Sequence, residues 1–320
     1  MIEIVAESEG MSEAVELARR VATTDANVLI TGESGVGKDA LAFFIHANSP
    51  RANQAFVKID CATLPSDLLE AELFGFERGA FTSATEAKPG RLEAAHKGTL
   101  VLDEIAYLST DSQAKLLRVI ETREFERLGG RRTITVDERL IALTNVNLGD
   151  AVKRRSFRED LYYRLNVVHI AVPPLRERTR DLPRLVNALL LAYANKHGCN
   201  VTSVAPEVLA LLAEYEFPGN VRELGNTIER AVIVSSGKQI EVADLPESIH
   251  AAVQTQRRRK KPLSLAEIEA EYVQETLSAT KGNKAEAARI LGISRKNLYE
   301  RLARLEKKDG DAKSSEGLTQ

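Results

Sequence analysis

Val28-Leu29-Ile30-Thr31-Gly32-Glu33-Ser34-Gly35-Val36-Gly37-Lys38-Asp39 passes from an apolar, β-branched run into three glycines and a lysine, and residues 40–46 continue with helical composition. Strand, glycine loop and helix in that order form the context of a phosphate-binding P-loop. Glycines let successive backbone N–H groups turn inward on phosphate oxygens. The helix N-terminus adds the positive end of its dipole, and Lys38 sets a charge near the β and γ phosphates. The loop, Gly32 to Asp39, is therefore expected to bind ATP. Asp39 departs from the general pattern, because Ser or Thr normally stands there and helps to hold Mg2+. Downstream, Gly98-Thr99-Leu100-Val101-Leu102-Asp103-Glu104 is an apolar strand ending in two carboxylates. With a P-loop in the same chain, Asp103 is expected to hold Mg2+, directly or through water, and Glu104 to orient and polarise the attacking water. In isolation the same string would read as a strand ending in a solvated acidic turn.

At 320 residues the chain exceeds one ordinary domain, and two or three compact units are expected. No apolar run is long enough to cross a bilayer, and the N-terminus lacks the basic and apolar regions of a signal peptide, so a cytoplasmic location with no membrane partner is expected. Cys61 and Cys199 show no metal-ligand spacing and are expected to be buried, inert thiols in a reducing compartment. The net charge of -2 hides an asymmetry: residues 257–308 hold 14 Lys and Arg against 7 Asp and Glu, whereas residues 1–256 hold 29 against 36. A basic C-terminal unit suited to meeting phosphate follows an acidic body.

Between the two nucleotide motifs lies Glu72-Leu73-Phe74-Gly75-Phe76-Glu77-Arg78-Gly79-Ala80-Phe81-Thr82-Ser83-Ala84. Small residues around one aromatic and one hydroxyl bury little apolar area, so a globular core has little use for such a string. It resembles the signature loop of the sigma-54-dependent transcriptional activators, the bacterial enhancer-binding proteins, which usually reads GAFTGA and here reads GAFTSA. In that family an acidic residue is common at the position of Asp39. The resemblance implies that nucleotide state raises or lowers the loop to grip sigma-54 on RNA polymerase, so that ATP hydrolysis drives closed promoter complexes open. Gly79, Ala80, Phe81, Thr82, Ser83 and Ala84 would form the contact, with Phe81 as apolar anchor and the Thr82 hydroxyl as directional bond. Ser83 carries a Cβ, so a loop that needs φ > 0 there would lose about 1 kcal/mol or shift its preferred state. A quieter difference is Asp60, where many relatives carry Asn in a switch that senses hydrolysis; Asp keeps the acceptor and loses the amide donor.

Other segments gain roles from the same resemblance. Thr144 and Asn145, ending the run Arg139-Leu140-Ile141-Ala142-Leu143-Thr144-Asn145, sit where the family senses the γ phosphate. Phe157-Arg158-Glu159-Asp160-Leu161-Tyr162-Tyr163-Arg164-Leu165-Asn166-Val167 matches the segment that supplies arginines to a neighbouring subunit, Arg164 being the first choice and Arg158 the second. Pro218-Gly219-Asn220-Val221-Arg222-Glu223-Leu224 matches a second sensor, with Arg222 reaching from a helical lid to the nucleotide of its own subunit. An ordinary surface ion pair is the alternative for each of these arginines.

At the C-terminus, Leu265, Ile268, Tyr272, Val273 and Leu277 recur at helical spacing, and residues 283–302 read as helix, tight turn at Gly292, Ser294 N-cap and second helix. This helix-turn-helix resembles the Fis-type DNA-binding domain of the same activators. Ala287, Ala288, Leu291, Ile293, Leu298 and Leu302 would form its core. Ser294, Arg295, Lys296, Asn297, Tyr299 and Arg301 would meet double-stranded enhancer DNA.

The expected fold is α/β: an AAA+ P-loop NTPase core with a parallel sheet over 1–170, a helical lid over 171–247, a linker over 248–262, an all-α helix-turn-helix domain over 263–308 and a disordered tail over 309–320. The expected partners are sigma-54 RNA polymerase, enhancer DNA and further copies of the chain, in a hexameric or heptameric ring built from dimers. The P-loop begins only about thirty residues in, so no receiver domain is expected ahead of it; control would come from a separate inhibitor, from expression level or from a sensory domain that has been removed. Two rivals remain: a P-loop kinase or transport ATPase, which would not need a helix-turn-helix, and an ATP-responsive DNA-binding regulator that does not remodel sigma-54.

Overall fold

The computed structural model describes residues 4–82, 84–260, 265–280 and 282–302. Ser83 and the tail 309–320 lie outside the described residues. The chain divides into two compact units, 1–253 and 254–320.

The first unit is built on five parallel strands: β1 Val28–Thr31, β2 Phe56–Asp60, β3 Thr99–Asp103, β4 Arg139–Thr144 and β5 Val168–Ala171, in the spatial order β2-β3-β4-β1-β5. The three central strands are mostly apolar, as strands covered on both faces must be, and all six residues of β4 are buried. Register aligns the polar strand ends, since Asp60 pairs with Asp103 and Thr31 with Thr144. The P-loop that follows β1 and the polar strand ends at Asp103 and Thr144 are thereby brought to the carboxyl edge of one sheet, where open α/β sheets bind their ligands. The helices Glu9–Ala22 and Lys38–Ala47 pack over β1 and β5, while Leu69, Leu73, Phe74, Leu116 and Leu161 fill the other side of the sheet. Buried Arg139 spans the sheet base and donates to the carbonyls of Val21 and Ala22 at 2.8 and 3.0 Å, capping the end of the first helix.

The helical lid follows in the same unit. Helices Leu182–His197, Pro206–Glu214 and Asn220–Val234 enclose a separate core of Val186, Leu190, Leu212, Leu224 and Ile228. Proline near the helix start and Gly198 at φ 65 just past the end mark the first of these as a well-punctuated helix. The stretch expected as a linker over 248–262 is instead helical over Glu247–Lys260. Ile249 and Val253, one turn apart, are buried in the lid core. That single apolar turn is hidden in sequence by the basic run after it, which carries no periodicity.

In the second unit Val273, Ala287, Ala288 and Leu298 form a small core, with Leu277, Leu291, Ile293 and Leu302 against it. Tyr272, expected on the apolar stripe, is exposed; Val273 beside it takes the inward position. Among the described residues no helix is long and apolar enough to cross a membrane.

Candidate active site

A cleft of about 200 Å³ opens at the carboxyl edge of the sheet, bounded by the P-loop, Asp39, Asp103 and Glu104 from the core and by Val221 and Arg222 from the lid. Gly35 at φ 78 and Gly37 at φ 106 take a left-handed backbone that glycine adopts without strain. At Gly35 a Cβ would also lie 2.4 Å from the Gly219 carbonyl oxygen, so the close approach of loop and lid depends on its absence.

Lys38, at the start of the P-loop helix, is buried. Its ammonium donates to the carbonyls of Gly32 and Glu33 at 2.8 and 3.2 Å and lies 3.8 Å from Glu104 Oε1. Burial pulls its pKa down, opposed by the charges of Glu104, Asp103 and Asp39. Glu104 leaves β3 at φ 51, a left-handed conformation unusual for a residue with a Cβ, and such strain gathers at functional positions. Its Oε2 accepts from the Asn145 backbone N–H at 3.1 Å. The carboxylate is thus held between a lysine and a main-chain amide, while the Asn145 side chain is exposed. Asp60 does not take part in that grip, because its Oδ1 accepts from the Ala62 N–H at 2.8 Å.

Asp39 and Asp103 share a partner that sequence reading missed. Lys58 Nζ, from β2, lies 2.7 Å from Asp103 Oδ2 and 2.5 Å from Asp39 Oδ1. Burial draws this ammonium toward neutrality, and the bonds to the two aspartates more than offset it, so its pKa is raised. Among the described residues no three or more His, Cys, Asp or Glu gather at one point. A cation here would therefore have Asp103 and Asp39 as protein donors, with phosphate oxygens completing the set. That suits Mg2+, which is usually held by one or two carboxylates plus substrate phosphates.

The lid grips the P-loop through its own side chains. Asn220 is fully buried at φ 52; its Oδ1 accepts from the Leu175 N–H at 2.8 Å, and its Nδ2 donates to Glu33 Oε2 and the Ser34 carbonyl, each at 3.1 Å. The N–H groups of Val221 and Arg222 both donate to the Gly35 carbonyl, and the Arg222 guanidinium donates to Ser34 Oγ at 2.8 Å. Arg176 forks onto Glu33 at 2.6 and 2.8 Å, and with the Asn220 amide it holds that carboxyl down to about 2. Buried Arg178 donates to the Val36 carbonyl. Asn220, Arg176 and Arg178 escaped the sequence reading, since nothing in their spacing distinguishes a clamp on the P-loop from surface charge or turn chemistry.

The two candidate trans-acting arginines do not line this cleft. Arg164 is exposed and pairs with Glu121 at 3.2 Å, and Arg158 pairs with Asp160 at 2.7 Å. Both side chains are solvent-facing, on or beside the helix Glu159–Leu165.

The glycine-rich loop closes on itself: Gly79 N–H donates to the Ala84 carbonyl at 2.8 Å and Ala84 N–H to the Phe81 carbonyl at 3.0 Å. Phe81 and Thr82 are exposed at its tip, and the Phe81 ring leans on Phe76 with centroids 4.9 Å apart. Gly79 is exposed and Ala80 half-buried, but Ala84 is buried at 6% exposure, so its side chain is turned away from any docking partner in this conformation. A Cβ on Gly129 would strike Ala80, which shows how closely the loop base is packed.

In the C-terminal unit, Asn283 caps the helix Lys284–Ile290, Gly292 turns at φ 66, and Ser294 Oγ accepts from the Asn297 N–H at 3.2 Å to start a helix over 295–302. Arg295, Lys296, Asn297 and Tyr299 are exposed on it. Arg301 donates to Asn297 Oδ1 at 3.0 Å, and Lys284 sits over the Tyr299 ring at 4.9 Å. These contacts order one polar face without burying it.

Three family models match most of the chain. The Sigma-54 interaction domain matches residues 4–171, an AAA+ ATPase lid domain residues 176–262, and the Fis family of bacterial regulatory proteins residues 264–305. The regulatory protein AtoC of Escherichia coli K12 is 43% identical over 309 residues, covering 93% of this chain and 67% of AtoC. The nitrogen fixation protein AnfA of Azotobacter vinelandii is 45% identical over 303 residues, covering 94% of this chain and 57% of AnfA. NtrX from Brucella abortus, solved in complex with ADP, superposes with a TM-score of 0.72 at 35% identity, covering 95% of this chain and 69% of NtrX. NtrX in complex with ATP gives 0.71 at 36% identity.

Proposed function

This chain belongs to the sigma-54-dependent transcriptional activators, and from that premise we propose that it hydrolyses ATP to convert sigma-54 RNA polymerase closed complexes to open ones while bound to enhancer DNA. The observation that carries the proposal is the exposed Phe81–Thr82 tip on the same domain as the nucleotide cleft. An exposed aromatic beside a hydroxyl offers a concentrated apolar anchor with one directional bond.

The cleft residues divide the chemistry. Lys38 and the P-loop N–H groups bind the phosphates. Asp103, with help from Asp39, would hold Mg2+, which would supply positive charge to neutralise the phosphate oxygens. Glu104, steadied by Lys38 and by the Asn145 N–H, orients and deprotonates the attacking water. Asn145 follows the γ phosphate, and Arg222 exchanges Ser34 for phosphate oxygen within its own subunit. Arg164, or else Arg158, neutralises transition-state charge in the neighbouring subunit, so turnover needs a ring of six or seven copies assembled from dimers. Ser294, Arg295, Lys296, Asn297, Tyr299 and Arg301 make the DNA contacts. The second reading, an ATP-responsive DNA-binding regulator without remodelling activity, is favoured by one observation, Ser83 in place of the glycine usual in the signature loop.

Capture of purified sigma-54 in the presence of an ATP transition-state analogue separates the two. The first reading expects a stable complex with the wild type and none with Phe81→Ala. Absence of a wild-type complex, with DNA binding intact, would establish the second.

A further inference from the structure

We propose that Lys58 is a positioning residue of the nucleotide site, a built-in cation that pairs Asp103 with Asp39 and competes with Mg2+ for Asp103, so that metal enters with nucleotide rather than alone. The proposal rests on the reading of Asp103 as the metal-holding carboxylate.

The geometry gives one ammonium two carboxylate partners from different elements, Asp103 at the end of β3 and Asp39 in the first turn of the P-loop helix, at 2.7 and 2.5 Å. A P-loop with Ser or Thr at position 39 would bring one carboxylate to this place; this chain brings two. The added negative charge at Asp39 is answered by a positive charge at Lys58, so the departure from the usual P-loop pattern and the lysine on β2 are one feature. With Lys58 in place the group of Asp39, Asp103 and Lys58 carries a net charge of about −1, where the two aspartates alone would carry −2, and this weakens their pull on a free divalent ion. The phosphates of a bound nucleotide restore the missing negative charge.

Lys58 is also able to leave. Its side chain is 37% exposed, and its four-carbon stem carries a compact, rotatable head that reaches the aspartates from the solvent side. Lys38, by contrast, is 7% exposed and fixed by two carbonyls. The two lysines therefore have separate tasks, one held for phosphate and one exchangeable at the metal carboxylates.

Titration of the full chain with Mn2+, followed by the loss of the free-ion EPR signal, tests the proposal without reference to turnover. Lys58→Met should bind Mn2+ in the absence of nucleotide roughly three- to tenfold more tightly than the wild type, the scale of removing a half-exposed charge pair. Lys58→Arg, which keeps the charge, should stay within about twofold of the wild type by the same reasoning. Unchanged or weaker Mn2+ binding by Lys58→Met overturns the proposal. Asp103→Asn, titrated with Mn2+ and ADP together, distinguishes this failure from failure of the underlying reading. If Asp103→Asn keeps wild-type affinity, Asp103 is not the metal ligand and both fall. If it loses affinity while Lys58→Met matches the wild type, only the role of Lys58 falls.

Discussion

Replacing Asn220 by alanine should loosen the P-loop from the lid at a cost that the structure allows to be worked out. The side chain is fully buried and makes three hydrogen bonds, one from the Leu175 N–H and two to Glu33 Oε2 and the Ser34 carbonyl. Alanine leaves the buried Leu175 donor without an acceptor, which costs about 1–3 kcal/mol. It also places a Cβ without a local polar partner at φ 52, adding about 1 kcal/mol relative to asparagine, which tolerates this region. Together the two costs predict a destabilisation of about 2–4 kcal/mol. In a unit spanning residues 1–253 each kcal/mol lowers the melting temperature by about 2–4 °C, which predicts a drop of roughly 4–16 °C by calorimetry. Affinity for a fluorescent ADP analogue should fall in the same variant, because Ser34 and Glu33 lose their lid contact. Asn220→Gly separates the causes: it removes the backbone strain but not the lost bonds, so it should recover about 1 kcal/mol of stability and little of the affinity. Melting within 2 °C of wild type together with unchanged ADP affinity for Asn220→Ala would refute the clamp.

Three further outcomes follow from the site. Lys38→Ala should abolish ATP binding, whereas Glu104→Gln should bind ATP and fail to hydrolyse it, as read by nucleotide titration alongside phosphate release. Turnover per subunit should rise with protein concentration, and Arg164→Ala should remove that dependence with no change in melting temperature; unchanged turnover would show that Arg164 is only the partner of Glu121 seen in one chain. Removal of residues 257–320 should leave ATP hydrolysis largely intact and abolish sequence-specific DNA binding in a gel-shift titration. Equal affinity of intact and truncated chains for a cognate site would place DNA recognition elsewhere.

The P-loop and strand-end part of the candidate site was legible as structure because it is carried by consecutive residues, which line one cleft. The glycines from Gly32 to Gly37 and the apolar run ending at Asp103 and Glu104 each define a strand and its polar end in a single window. What escaped depends on contacts between windows. Lys58 sits mid-strand in Phe-Val-Lys-Ile-Asp, where alternation predicts only a side chain off the core, and its reach to Asp39 and Asp103 appears only once β2 lies beside β3. Asn220 reads as turn chemistry before a helix, yet its left-handed backbone turns the amide into the P-loop. The helix over Glu247–Lys260 was hidden because just two apolar residues, Ile249 and Val253, fasten it to the lid. The inward turn of Ala84 depends on loop hydrogen bonds that small residues allow but do not announce. Arg158 and Arg164 act, on the proposed reading, across a subunit boundary, so the packing of one chain shows only their resting ion pairs.

The central claim, that ATP hydrolysis in this cleft is transmitted through the Phe81–Thr82 tip to sigma-54, is tested most directly by open-complex formation on a sigma-54 promoter with purified polymerase, ATP and either wild type or Thr82→Ala. Permanganate reactivity of unpaired thymines should appear with the wild type and ATP. It should be absent with Thr82→Ala, even though that variant hydrolyses ATP at the wild-type rate. Promoter opening by Thr82→Ala at the wild-type level, or no opening by a wild type that hydrolyses ATP and binds the enhancer, would contradict the account.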